Sequence, residues 1–268
     1  MTGWQKTVKY LAMAFAIFLS VSIIGGICGG LASLSFLFGH KNEVVGELTS
    51  YQVEGNVEEL VVDISAADLS IKTGEELRVD SNHKYLKVEE SNGKLVISEK
   101  KKWLVSSSKG ITVDIYIPED MHFVCADVDA GAGSVKIDSL SADVVELELG
   151  AGEAQIGKLT AEKRARIDGG AGEVTILEGM LHNLELDMGV GELNLTGRIL
   201  GESSVDYGIG ETNLTLLGTE DDYRIELDKG VGEATLEGES MKDDSVYGLG
   251  ANQIEIDGGV GELHVSFQ

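Results

Sequence analysis

The sequence predicts an all-β chain, a parallel β-solenoid with coils of about 19–22 residues, behind one N-terminal transmembrane helix. Three observations predict it. A Gly-x-Gly-acid motif recurs at near-constant spacing, apolar residues alternate with polar ones on both sides of each copy, and Tyr10 to Gly39 carries no charged side chain. Composition agrees: 35 glycines against one proline point to tight turns in regular β structure rather than to disordered loops.

The first element is the apolar run. About 20 apolar residues span a bilayer core as a helix, so residues 10–39 are long enough to cross with tilt. Trp4 and Tyr10 suit the interface, and Lys6 and Lys9 lie just before the run, whereas Glu43, Glu47 and Glu54 follow it. The expected topology has residues 1–9 in the cytoplasm, 10–39 as anchor in the bacterial cytoplasmic membrane, 40–54 as a linker, and 55–268 as an extracytoplasmic solenoid. A cleaved signal peptide is the alternative, because Gly30-Leu31-Ala32 has the small-x-small form of a cleavage site. Cleavage there would leave Leu34, Phe36, Leu37 and Phe38 on the mature terminus.

Residues 42–120 are irregular. Leu60 to Ile64 and Tyr85 to Glu89 read as strands, Ser91-Asn92-Gly93 as a hairpin turn before Lys94 to Ser98, and Ile111 to Ile117 as a strand closed by Pro118. This part is expected to cap the open end of the solenoid. Glu99 to Gly110 holds a basic cluster, Lys100, Lys101, Lys102 and Lys109 around Trp103, and reads as a solvated loop.

The repeat follows. Corners stand at Gly131, Gly150, Gly170, Gly189, Gly208, Gly230 and Gly259, with a variant at Gly248-Leu249-Gly250 and a degenerate first copy at Ser65 to Ile71. Around one corner, Val145, Leu147 and Leu149 alternate with Glu146 and Glu148, and beyond it Ala154 and Ile156 alternate with Glu153 and Gln155. Period 2 means one buried face, and such short strands bury it only by stacking coil on coil. Right-handed winding is expected from the crossover rule. No helix is expected outside the membrane segment.

Asp114-Ile115-Tyr116-Ile117-Pro118, then Ala130-Gly131-Ala132-Gly133-Ser134-Val135-Lys136-Ile137, then the run of Gly-x-Gly-Glu corners, resembles the bacterial "putative adhesin" domain, a family of unknown function. The resemblance covers roughly residues 55–268. It implies a β-helical domain on cell-envelope proteins, often behind a membrane anchor, and brings no catalytic residues with it.

Charge restricts the partners. The chain has 46 acidic and 21 basic side chains and a net charge of −25, which argues against nucleic acid and against docking of the solenoid on an anionic membrane. Two cysteines, Cys28 and Cys125, give no disulfide framework. Gly152 to Lys158 nearly matches a phosphate-binding loop, but Leu159 stands where Ser or Thr must hold magnesium and no helix follows. His40, His83, His122, His182 and His264 show no ligand spacing. Asn194 and Asn213 begin sequons at equivalent repeat positions and read as a stacked Asn column.

The acids form the one constellation with functional promise. Glu153, Glu173, Glu192, Glu211, Glu233 and Glu262 share one outward position, and Asp168, Asp187, Asp206, Asp228 and Asp257, with Glu148 and Asp129, share another, two residues before the corner. Stacked at about 4.8 Å, they would form two carboxylate columns. One reading is a stripe for calcium, another cation, or a cationic polymer or peptide. The other is that each Glu accepts hydrogen bonds from corner glycine N–H groups. No cofactor is otherwise expected. The function expected is non-enzymatic binding or adhesion at the envelope. The alternatives are a polysaccharide-acting β-helix enzyme, or a passive spacer or partner in envelope-stress signalling.

Overall fold

Strands form where the apolar alternation places them. In β2 (Glu59–Ala66), Leu60, Val62 and Ile64 point inward and are buried, while their neighbours stay partly exposed. The computed structural model describes residues 45–99 and 110–268. The expected anchor at 10–39 and the basic residues Lys100 to Lys109 lie outside them. Among the described residues no helix is long and apolar enough to cross a membrane, and the one helical element is a 3-10 turn at Glu220–Asp222.

The remaining strands are β1 (Val45–Gln52), β3 (Asp68–Gly74), β4 (Arg78–His83), β5 (Leu86–Ser91), β6 (Lys94–Glu99), β7 (Thr112–Pro118) and β8 (Phe123–His182). They continue with β9 (Leu184–Leu200), β10 (Glu202–Leu216), β11 (Tyr223–Asp228), β12 (Val231–Leu236), β13 (Glu239–Ser240), β14 (Ser245–Tyr247) and β15 (Asn252–Phe267). β1 falls inside the stretch expected as linker: residues 45–52 pair antiparallel with β4 instead.

β8 winds through three coils, its corners stacked so that Gly150 faces the carbonyl of Gly131 and Gly170 that of Gly150. β9 then lies parallel on β8, in one register as far as Ile176 and shifted from Gly179, and β10 lies parallel on β9, with Gly172, Gly191 and Gly210 opposite one another. The interior is a set of apolar ladders. One runs Ile167, Leu186, Val205, Ile256, Leu227, each within 1% of full burial. Each such side chain contributes roughly 1.5–3 kcal/mol through burial. The buried hydroxyl of Ser203 is satisfied by the Leu184 N–H, 3.0 Å away.

The two ends depart from chain order. β15 does not add to the outside of the stack. It lies between β10 on one side and β11 with β12 on the other, parallel to all three. At the other end, β2 and β3 lie between the first coil of β8 and the outer strands β6 and β7. Both outer layers are closed by antiparallel strands: β5 on β6 and β4 on β7 at one end, β13 on β12 and β14 on β11 at the other. A reversed strand ends the parallel register and blunts the open edge.

Gly248-Leu249-Gly250 is not a corner. It is the loop from β14 into β15, packed on the backbone of Asp222 and Tyr223. The sequence between Gly230 and Gly259 leaves the stack to make β13 and β14, then returns. Ser65 to Ile71 does act as a first copy: Ile64 and Ala66 pair with Ala130 and Ala132.

Candidate functional site

The corner is the repeated external feature. Gly191 has φ +141°, and a Cβ there would sit 1.8 Å from the Gly172 carbonyl oxygen. A side chain is excluded on both counts, so the layers approach closely and the flanking outward residues align in columns. Between the acids, the middle residue of each corner forms a ridge: Ala171, Val190, Ile209, Val260 and Val231, opposite one another in successive layers. Val190 and Val231 are about two-fifths exposed, at 40% and 41%.

On one side of the ridge stands the Asp column. Asp168 faces Asp187, Asp187 faces Asp206, Asp206 faces Asp257, and Asp257 faces Asp228. The N-terminal end is neutralised: Arg166 donates to Asp168 at 2.9 Å and to Glu185 at 3.0 Å. Beyond it the carboxylates stack on each other. Partial burial pushes the Asp187 carboxyl up, helped by its hydrogen bond with Asp168. Burial pushes Asp206 further, up to about 6, with the charges of Asp187 and Asp257 adding to it. Among the described residues no Lys or Arg forms an ion pair with Asp187, Asp206, Asp228 or Asp257.

On the other side stands the Glu column: Glu173, Glu192, Glu211, Glu262, Glu233. Glu153 follows Gly152, whose carbonyl lies against Gly172, and so stands one layer before Glu173. Three of these carboxylates, Glu173, Glu192 and Glu211, take as partners side chains two residues on, not the corner glycine N–H groups the sequence suggested. Thr175 donates to Glu173 at 3.2 Å, Asn194 to Glu192 at 2.8 Å and Asn213 to Glu211 at 2.9 Å. Alternation explains it: residue i+2 lies on the same outward face. Asn213 also donates to Asn194 at 3.0 Å, so the Asn column is present.

All the acids singled out in the sequence therefore lie on the corner face, though Glu233 and Asp228 are outermost and Glu262 and Asp257 precede them in space. The arrangement offers oxygen ligands and negative field, not a cleft. The depression beneath the corners has room for about 20 Å³, one water. A second hollow, of about 150 Å³ beside Glu202, Arg224, Glu226 and Glu255, is smaller than the roughly 300 Å³ at which ligand pockets begin. Cys125 is half-buried with its thiol pushed up by burial and by Glu146, as suits an inert cysteine. Gly152 to Lys158 is strand throughout.

One grouping escaped the sequence. His122, Asp143 and Glu162 place ligating atoms within 4.8 Å of one another. Their intervals, 21 and 19 residues, are the coil period, which is the signal that could have found them.

The profile of the Toastrack DUF4097 family matches residues 57–256. The chain belongs to this family. Among solved structures, the Toastrack chain is similar to "a putative cell adhesion protein" from Clostridium sporogenes, at 17% identity, TM-score 0.37, covering 83% of this chain and 99% of that one. It is also similar to "a putative adhesin" from Bacteroides fragilis, at 14% identity, TM-score 0.42, covering 82% and 97%. A "putative lipid binding protein" from Parabacteroides distasonis gives 14% identity, TM-score 0.40, and 81% and 97% coverage. Membership of the Toastrack family rests on the sequence match and on none of these likenesses. No curated protein matches the sequence significantly.

Proposed function

We propose that this Toastrack chain is a non-enzymatic binding protein of the bacterial envelope, anchored in the cytoplasmic membrane by residues 10–39 with its solenoid outside. The observation that carries the binding reading is the corner face: two carboxylate columns framing an aliphatic ridge, with most of the acids lacking a cationic partner. Such a face attracts cations and cationic polymers or peptides and repels nucleic acid and acidic glycans. The enzyme reading has less support, because the carboxyls pushed upward, Asp187 and Asp206, belong to a regular column and face no cleft.

Calcium tests the face. An ion that binds only the folded chain raises stability by mass action. Millimolar calcium is expected to raise the melting temperature of the full-length chain above that in sodium at equal ionic strength. Replacing Glu173, Glu192 and Glu211 together by Gln removes the increment. Superimposable melting curves in the two salts reject the cation stripe. For the location, protease added to intact spheroplasts is expected to digest the solenoid; its protection reverses the orientation.

A further inference from the structure

Seven to nine residues before the glycine corners, three successive layers each present one ligating side chain, with the ligating atoms within 4.8 Å of one another. His122 immediately precedes β8, and Asp143 and Glu162 lie in its second and third coils. Nε2 of His122 is 3.1 Å from Oδ1 of Asp143, and Nδ1 is 2.9 Å from Oγ of Ser141. A tetrahedral ion with bonds of about 2.0–2.2 Å holds adjacent ligand atoms about 3.3–3.6 Å apart, so the imidazole and carboxylate need to part by only a few tenths of an ångström. Nε2–H donates to the Asp143 carboxylate and the Ser141 hydroxyl donates to Nδ1; ligation of an ion uses the other tautomer, in which Nδ1–H donates to Ser141 and Nε2 offers its lone pair. Metal-bound imidazoles are oriented by a second hydrogen bond of this kind.

We propose that His122, Asp143 and Glu162 form a surface site for a divalent transition ion of the zinc type, with water in the remaining positions. The imidazole nitrogen separates this site from the corner columns. Those offer oxygen alone and suit calcium, whereas a mixed nitrogen and oxygen set suits zinc, cobalt or nickel. Lys163 is part of the device. Its Nζ lies 2.8 Å from Oδ2 of Asp143, and its side chain is 69% exposed. The ammonium occupies the place of positive charge in the ion's absence, and binding displaces it into solvent. The lysine is therefore a competitor of the ion, and the bound ion ties three layers of the stack together.

The test is titration of the full-length, untagged chain with Co²⁺, followed by visible absorption and by displacement with Zn²⁺. One equivalent per chain is expected. His122→Ala abolishes it, and Asp143→Asn weakens it by about tenfold or more. Lys163→Gln tightens it, because the competitor is gone. Gln at Glu173, Glu192 and Glu211 leaves it unchanged, which separates this site from cation capture by the corner columns. Melting of each variant in EDTA at the wild-type temperature shows that the fold is intact. No binding up to millimolar Co²⁺, or binding that survives His122→Ala, overturns the site. Binding weakened by Lys163→Gln overturns the competitor role and, with it, the proposed geometry.

Discussion

Through the middle of the stack, from the second coil of β8 to β10, position in space follows position in sequence; at both ends it does not. The middle layers are joined by corners 19 or 20 residues apart, too short for a coil to do anything but stack on its predecessor. At the ends the chain has slack. Residues 75–93 and 237–251 lie between coil strands, and that length lets a later or earlier strand occupy the place beside the regular stack. The corner specifies how layers contact one another, and connection length specifies which layers do.

The largest expected effect sharpens this contrast at a glycine. Gly191→Ala puts a Cβ 1.8 Å from a backbone oxygen at positive φ, and neither layer has room to move. A loss of about 3 kcal/mol or more is expected in urea unfolding. Gly238, in the β12–β13 turn of the outer layer, also has positive φ, +78°, but its Cβ would meet nothing. Gly238→Ala should cost only about 1 kcal/mol of backbone strain. Equal losses would break the distinction between stacked corners and end turns.

A smaller effect probes the seam between the regular middle and the inserted β15. Asp206 sits there, between Asp187 and Asp257. Its carboxyl has a pKa near 3.9 in the unfolded chain and about 6 in the folded one. A raised folded value makes protonation favour folding, so its contribution is complete below about pH 4 and is lost as pH rises through about 6. Asp206→Asn is therefore expected to melt about 2–4 °C above wild type at pH 7.5, the difference shrinking toward pH 5. Titrating groups away from the column are common to both proteins and cancel, and relief of Asp187 and Asp257 adds to the difference in the same direction. A pH-independent difference would mean that Asp206 is not squeezed between its neighbours.

The coils and the acid columns were legible because period 2 gives the face and the repeat gives the register. Glu173, Glu192 and Glu211 share a column for the same reason that Ile167, Leu186 and Val205 do. The place of β15 was not legible, since nothing in Asn252 to Phe267 distinguishes a strand laid outside β12 from one laid inside it. Gly248-Leu249-Gly250 misled because alternation does follow it, in Ile254 and Ile256, whereas the strand before it, β14, runs antiparallel on β11 and belongs to no coil. The Glu partners required knowing that Asn194 and Asn213 side chains turn back toward the carboxylates. His122 looked isolated because its partners are not on its own strand; in a solenoid, near neighbours lie one period apart.

β15 is synthesised after β11 to β14, yet it fills an inner layer. Without it, β10 and β12 would present two edges of the same repeat, with Gly210-Glu211 on one and Gly232-Glu233 on the other, both matched to Gly261-Glu262. The vacancy has the shape of the repeat itself, so the molecule contains a check on its own completeness. A chain that stops before Asn252 either leaves two parallel edges open or closes them on each other and loses a layer, and in both cases it differs from the finished protein.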